Sequence, residues 1–221
     1  MDFGPDFFAE GRQKLYSSVL SDVLDGLDCP EHAMAAAIRP LDETSVLFGR
    51  ARTGQYIDSF EVVEGENPYA TEIALVDDLN PDDVAVLNCG GTERYAAWGE
   101  LLTTAALARG AAGAVIDGQT RDVKPIRETG FPVFARGIGM LDAKGRGYMQ
   151  AVDLPVQCGG VLVRPGDLVF ADIDGALVIP AQLAEAAVRL ALEKVAAEDT
   201  VRAELARGDR LADVFARHKI L

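Results

Sequence analysis

The sequence predicts a single-domain layered α/β fold with a C-terminal helical arm, and three observations carry that reading. Apolar runs at Val84–Leu87 and Ala114–Ile116 bracket a helical stretch, Gly99–Arg109, which Gly110 closes. Strand, helix and strand within about 35 residues have the length and punctuation of a right-handed crossover between parallel strands. From Ala181 the pattern turns helical and stays so to the end. With 221 residues, 49% of them apolar and 25% charged, the chain can bury one sizeable core. Residues 1–221 therefore read as one domain, of which 181–221 form the arm.

Each element follows from local pattern. "FFAEGRQKLYSSVLSDVLDGL", Phe7–Leu27, repeats apolar residues at helical spacing and predicts one helix stopped by Cys29-Pro30. "SVLFGRARTGQY" from Ser45 reads as a strand with a glycine bulge. "NPYATEIALVDDL" opens with an Asn-Pro helix start. "PDDVAVLNCGG" gives a turn, a strand and the pair Gly90-Gly91. "KPIRETG" predicts a short helix capped by Gly130, and "FPVFARGI" a further strand. "VQCGGVLVRPGDLVFADIDGALVIP" is β-rich, with turns at Pro165-Gly166 and Asp174-Gly175. The arm reads as a helix of nearly 30 residues, long for a domain of this size, followed by "LADVFARHKIL". Its stripe Leu183, Ala187, Leu190, Leu192 and Val195 covers either its own core or a neighbouring subunit.

Composition narrows the function. Lys and Arg total 21 against 35 Asp and Glu, a formal net charge of −14. Such a surface repels phosphate backbones and anionic lipids, so neither nucleic acid nor membrane is an expected partner. No apolar run approaches the roughly 20 residues that span a bilayer. The opening "MDFGPDFFAEGRQ" has no basic and apolar leader pattern, so a cytoplasmic location is expected. Cys29, Cys89 and Cys158 are scattered and read as reduced thiols. His32 and His218 are the only histidines and lie far apart in sequence, so a multi-histidine metal site within one chain is not expected, and His32 reads as a solvated loop residue.

Chemistry concentrates in the middle. In open α/β sheets, ligands gather at the carboxyl ends of strands and at the helix N-termini beside them. The helix start "WGELL" exposes amides near Gly99, Glu100, Leu101 and Leu102, and the loop "DGQTRD" carries Arg121 and Asp122. A crossover unit puts both at one sheet edge, with residues 101–120 between Glu100 and Arg121. Aspartate at a strand end suits a hard divalent cation, and arginine offers a fork for a carboxylate or an enolate oxygen. A helix N-terminus, an arginine and a metal together suit a 2-oxo acid whose enolate is left by C–C cleavage or decarboxylation. The same residues also fit a solvated turn pair and a first-turn helix acid.

"WGELLTTAALARGAAGAVIDGQTRDV", with the downstream "GFPVFARG" and "PVQCGGVLVRPGDLVFADIDGALVIP", resembles the RraA-like family. That family holds class II 4-hydroxy-4-methyl-2-oxoglutarate aldolases and the regulator of ribonuclease E activity A. The resemblance runs from about Ser17 onward and implies a layered β/β/α fold of the swivelling type. It implies that Asp122 ligates Mg²⁺ or Mn²⁺, that Arg121 contacts the keto or enolate oxygen, and that Glu100 is linked to metal-bound water. The Leu101 and Leu102 amides, next to Gly99, would take the substrate carboxylate. It further implies a homotrimer or a dimer of trimers with sites between subunits, where a C-terminal acid, best matched by Glu198, reaches the neighbouring site. The expected activity is release of pyruvate from a 4-hydroxy-2-oxo acid, with oxaloacetate decarboxylation as a second activity. The alternative is a non-enzymatic regulator that binds a protein such as a ribonuclease.

Two stretches depart from the pattern. Where many relatives carry a further acid after Arg-Asp, this chain has Lys124 and Pro125, and "SFEVVEGENPYA" matches no family motif and is expected to shape specificity. Other chemistries find less support. None of Lys14, Lys124, Lys144, Lys194 and Lys219 ends a buried strand as a Schiff-base lysine should. Cys89 reads as a buried structural thiol. No P-loop, GxGxxG pattern or S-adenosylmethionine loop is present.

Overall fold

The computed structural model describes residues 3–220. In chain order its elements are helix α1 (Pro5–Lys14), helix α2 (Ser17–Gly26), strand β1 (Arg39–Pro40), strand β2 (Leu47–Asp58), helix α3 (Ala70–Asp77), strand β3 (Asp83–Asn88) and strand β4 (Ala96–Trp98). Helix α4 (Glu100–Ala108), strand β5 (Gly113–Thr120), helix α5 (Val123–Thr129), strand β6 (Val133–Ile138), strand β7 (Gly147–Val152), strand β8 (Val156–Cys158) and strand β9 (Val161–Val163) follow. Strands β10 (Leu168–Asp172) and β11 (Gly175–Ile179), a 3₁₀ turn and helices α6 (Ala184–Ala206) and α7 (Leu211–His218) complete the chain.

One large sheet organises them, in the order β1-β6-β5-β3-β2-β10-β11, with β4 added to β5 and β7 to β2. Strands β2, β3, β5 and β6 run parallel, as the predicted crossover requires. The β10–β11 side is antiparallel, and its two-residue turn is Ile173-Asp174, one residue ahead of the predicted Asp174-Gly175, because Gly175 already pairs with Asp172. The two edges approach each other: the Arg39 guanidinium of β1 donates to the Asp174 carbonyl at 2.6 Å, so the sheet comes close to closing.

Alternation along the strands builds three apolar layers. Val84 and Val86 of β3 and Val115 of β5 pack with the β8–β9 hairpin residues Val156, Cys158 and Val161. Ala85, Leu87, Ala114 and Ile116 face the other way, against Leu75, Trp98, Ala106 and Ile126 of the crossover side. Burial on both faces explains why these strands read as continuous apolar runs. The third layer sets α1, α2 and α6 on Phe48, Leu168, Phe170, Leu177 and Ile179. Burying side chains of that size stabilises by about 1.5–3 kcal/mol each before entropy is counted.

Three expectations change. The helix over Phe7–Leu27 is two helices, because Leu15 and Tyr16 are extended and the chain turns so that Leu15, Leu20 and Leu24 are all buried. Asp172 accepts from the Ser17 amide at 2.8 Å and hydroxyl at 2.7 Å, and so caps the second helix from outside the local sequence. His32 is buried, not solvated: its ring lies 2.8 Å from the Ser21 hydroxyl and 2.6 Å from the Cys29 carbonyl. The arm lies on its own core, with Ala187 and Ala191 of α6 buried and Leu192 and Val195 packed beside them. Its long helix has 23 residues, and α7 folds back through Arg217, which reaches Glu204 at 2.7 Å.

Candidate active site

The candidate site lies where β4 and β5 end and α4 and α5 begin. The Arg121 amide donates to the Trp98 carbonyl at 2.9 Å, and the Thr120 hydroxyl donates to the same oxygen at 3.1 Å. These bonds lock the loop after β5 onto the strand before α4. Trp98 is fixed in turn, its indole donating to Thr103 of α4 at 2.8 Å. Gly99 is the contact point. A Cβ built there would stand 2.7 Å from an Asp122 carboxylate oxygen and 3.3 Å from the Arg121 side chain. The close approach, not an unusual backbone angle, is what demands glycine.

Asp122 opens α5 with φ 59°, a left-handed conformation that aspartate tolerates better than most residues. Its carboxylate turns away from its own helix and accepts from the Glu100 amide of α4 at 3.2 Å. One aspartate therefore starts one helix with its backbone and caps another with its side chain, where negative charge is favoured. Oδ2 also lies 3.6 Å from the Arg121 guanidinium, while Oδ1 accepts no hydrogen bond from the described residues. The Leu101 and Leu102 amides likewise have no acceptor among the described residues. Glu100 bends along its helix and takes the Thr104 hydroxyl at 2.7 Å. The predicted group of Gly99, Glu100, Leu101, Leu102, Arg121 and Asp122 is thus brought together. Arg121 and Asp122 line two adjoining cavities of about 340 and 490 Å³.

Glu198 is not part of this group within the chain. It accepts from the Tyr16 hydroxyl and faces Arg202 at 3.9 Å, in a depression lined by Val19, Asp22 and Leu205. That hydrogen bond and burial push the Tyr16 phenol up to about 12, with burial the larger cause. Lys124 is exposed on α5, Lys194 pairs with Asp22 at 2.5 Å, and Lys14 pairs with Glu10 at 2.7 Å. Burial pushes the Cys89 thiol well up, which suits an inert thiol.

Sequence reading missed three further residues that line the smaller cavity. Tyr69 and Glu72 reach it from the start of α3, and Asp142 from the segment after β6. Asp142 holds Arg121 at 3.2 Å and accepts from the Tyr69 hydroxyl. Burial first, and then the Asp142 carboxylate, push the Tyr69 phenol up to about 12 although Arg121 pulls the other way. Glu72 accepts from the buried Tyr56 hydroxyl, and burial raises its carboxyl to about 7 although Tyr56 and Arg121 favour the ionised form. Tyr69 and Glu72 stand one helical turn apart in "NPYATEI", a spacing that puts both on one face and was there to be read. Asp142 gave no such signal.

Residues 18–178 match the model of the RraA-like family, described as Aldolase/RraA. The chain is 32% identical to protein DlpA of Legionella pneumophila over 88% of its own length, but spans only 31% of that longer protein. It is 33% identical to a Halalkalibacterium halodurans protein provisionally named 4-hydroxy-4-methyl-2-oxoglutarate aldolase, covering 88% of this chain and 86% of the relative. Among solved structures it is similar to Streptomyces coelicolor RraAS2, described as an unusual member of the RNase ES inhibitor RraA family. That match has a TM-score of 0.79 and 28% identity, over 91% of this chain and 98% of the other. A layered α/β fold with this edge-to-helix site defines the class, and the chain belongs to the RraA-like family.

Proposed function

We propose that the chain is a divalent-metal-dependent carbon–carbon lyase that cleaves a 4-hydroxy-2-oxo acid such as 4-hydroxy-4-methyl-2-oxoglutarate and releases pyruvate. Oxaloacetate decarboxylation is its second activity. The observation that carries the reading is the convergence of Asp122, Arg121 and the two free amides of Leu101 and Leu102 on one cleft.

The donor set fits Mg²⁺ or Mn²⁺. Among the described residues no three His, Cys, Asp or Glu side chains form a ready-made cage. Mg²⁺ commonly binds through one or two carboxylates while keeping waters and taking substrate oxygens, and Asp122 offers an uncommitted Oδ1 beside Glu100. Bound there, the metal would supply Lewis-acid polarisation of the keto group. The protein's own groups do the rest. The Leu101 and Leu102 amides, at the positive end of α4, take the substrate carboxylate. Arg121 leaves Asp142 and turns its guanidinium to the keto oxygen, where negative charge develops as the C–C bond breaks. Glu100 orders water at the helix start. The exposed apolar side chains Leu101, Ile138 and Met140 at the cleft rim support a subunit contact there, as in a homotrimer or dimer of trimers. In such an assembly Glu198 is the acid contributed by a neighbour. Among the described residues no helix is long and apolar enough to cross a membrane.

Pyruvate release from 4-hydroxy-4-methyl-2-oxoglutarate and from oxaloacetate, with Mg²⁺ and with chelator, tests the reading. The parent protein should turn over only with metal, and Asp122→Ala should lose at least about a hundredfold. Turnover that ignores chelator, or an unimpaired Asp122→Ala, would sink it. A second reading, a regulator that binds a basic protein, draws on the net charge of −14 and on the description of the Streptomyces neighbour. Inhibition of a ribonuclease that survives in Asp122→Ala, in a protein without lyase turnover, would favour that one.

A further inference from the structure

We propose that Glu72 is the proton carrier of the cleft, taking the proton of the substrate's C4 hydroxyl as the C3–C4 bond breaks and returning it to C3. The inference rests on the lyase reading above and adds to it a catalytic group from outside the family's Arg-Asp pattern.

Position comes first. Glu72 belongs to the first turn of α3, where an acid usually serves its own helix and faces water. Here it makes no capping bond to α3, and its side chain turns inward to the Tyr56 hydroxyl of β2. Tyr56 is itself buried at 3% exposure, so the carboxyl is anchored on the sheet and not on a surface loop. The same carboxyl lines the cavity that holds Trp98, Leu102, Arg121 and Asp122. Glu72 therefore lines the same cavity as the groups proposed to hold the 2-oxo acid, close enough to Arg121 and Asp142 to feel both charges.

The surroundings suit proton transfer. Tyr56 from β2, Tyr69 ahead of α3, Cys89 after β3, Arg121 after β5 and Asp142 after β6 are the titratable and charged groups coupled to Glu72. The two tyrosines and the thiol are all pushed up and stay protonated at neutral pH. Burial and Asp142 raise the Glu72 carboxyl, while the Tyr56 hydrogen bond and Arg121 lower it, and the balance lies at about 7. A carboxyl poised there can both accept and give a proton at working pH.

The step balances without any further reagent. The Glu72 carboxylate takes the C4 hydroxyl proton, and the O–H electron pair becomes the second bond of the new C4 carbonyl. The C3–C4 electron pair passes into the pyruvate enolate, whose oxygen faces Arg121. The Glu72 carboxylic acid then hands the same proton to C3, which completes the methyl group and restores the carboxylate. Oxaloacetate has no such hydroxyl. Its cleavage releases CO₂ and needs only enolate protonation, which water can provide.

That difference gives the test. Glu72→Gln keeps an acceptor for Tyr56 but cannot carry the proton, and parent and variant are compared on 4-hydroxy-4-methyl-2-oxoglutarate and on oxaloacetate from pH 5.5 to 9 with Mg²⁺. For the parent, kcat/KM for aldol cleavage should rise with pH through a limb near 7. In Glu72→Gln that rate should fall at least about a hundredfold and lose the limb, while decarboxylation falls less than about tenfold. Tyr56→Phe should shift the limb to higher pH, because the ionised carboxyl loses its donor. Equal losses on both substrates, or aldol cleavage in Glu72→Gln that keeps its limb, would overturn the proposal and leave the lyase reading standing. No metal-dependent turnover of either acid by the parent would overturn both.

Discussion

Glu72→Gln should also change how the fold responds to pH, independently of any substrate. Burial lifts the folded-state carboxyl from its ordinary 4.5 to about 7. Below pH 4.5 the group is protonated in both folded and unfolded chains and contributes no difference. Between 4.5 and 7 the unfolded chain releases the proton while the folded chain keeps it, so stability falls as pH rises. Above 7 the whole penalty is present. Lifting the carboxyl from 4.5 to about 7 corresponds to about 3 kcal/mol at most. Glutamine does not titrate and still accepts from Tyr56, so the variant escapes that penalty. For a domain of this size, 1 kcal/mol moves Tm by roughly 2–4 °C. Thermal melts followed by circular dichroism at pH 5, 6, 7 and 8 should show the smallest difference, about 2–3 °C, at pH 5. By pH 8 the variant should melt higher by several degrees, on the order of 5–10 °C. A difference that stays constant across this range, or a variant less stable at pH 8 than at pH 5 relative to the parent, would refute the reasoning.

Two further changes probe the frame around the site. Gly99→Ala forces a Cβ to within 2.7 Å of the Asp122 carboxylate, so that carboxylate or the loop must move. The pyruvate release proposed above should drop by about a hundredfold, as displacements of this order commonly cost, while far-ultraviolet circular dichroism stays that of the parent. Phe48→Ala empties the centre of the third layer, where Phe48 packs against Phe8 at 5.2 Å and Phe170 at 5.7 Å between ring centroids. Urea denaturation should register a loss of about 3–5 kcal/mol with an unchanged slope.

The crossover was legible because β3 and β5 are buried on both faces and α4 is bounded by glycines at each end. Arg121, Asp122 and the α4 amides were legible for the same reason, since they lie at the two ends of one local unit. The break at Leu15–Tyr16 was not, because it is set by Asp172, more than 150 residues away, capping α2. His32 read as a loop residue because its burial depends on Ser21 of α2 meeting the ring, while the Cys29 carbonyl, three residues away, is a local partner. β4 escaped notice since three residues carry no period of their own, and its pairing with β5 decides it. Tyr69, Glu72 and Asp142, with Tyr56 behind Glu72, come together from three separate segments, and only the spacing of Tyr69 and Glu72 is local. Within the chain Glu198 is partnered by Tyr16.

The left-handed backbone at Asp122 has a consequence for how this position is to be compared across relatives. Two demands meet on one residue, a turn that tolerates positive φ and a charge that faces α4. Asparagine and glycine satisfy the first without the second, whereas glutamate keeps the charge at a conformational cost. A descendant with asparagine or glycine here keeps the architecture and sheds the anion. A descendant with any bulkier residue has had to rebuild the turn as well. The identity of this single residue thus separates loss of chemistry from loss of shape.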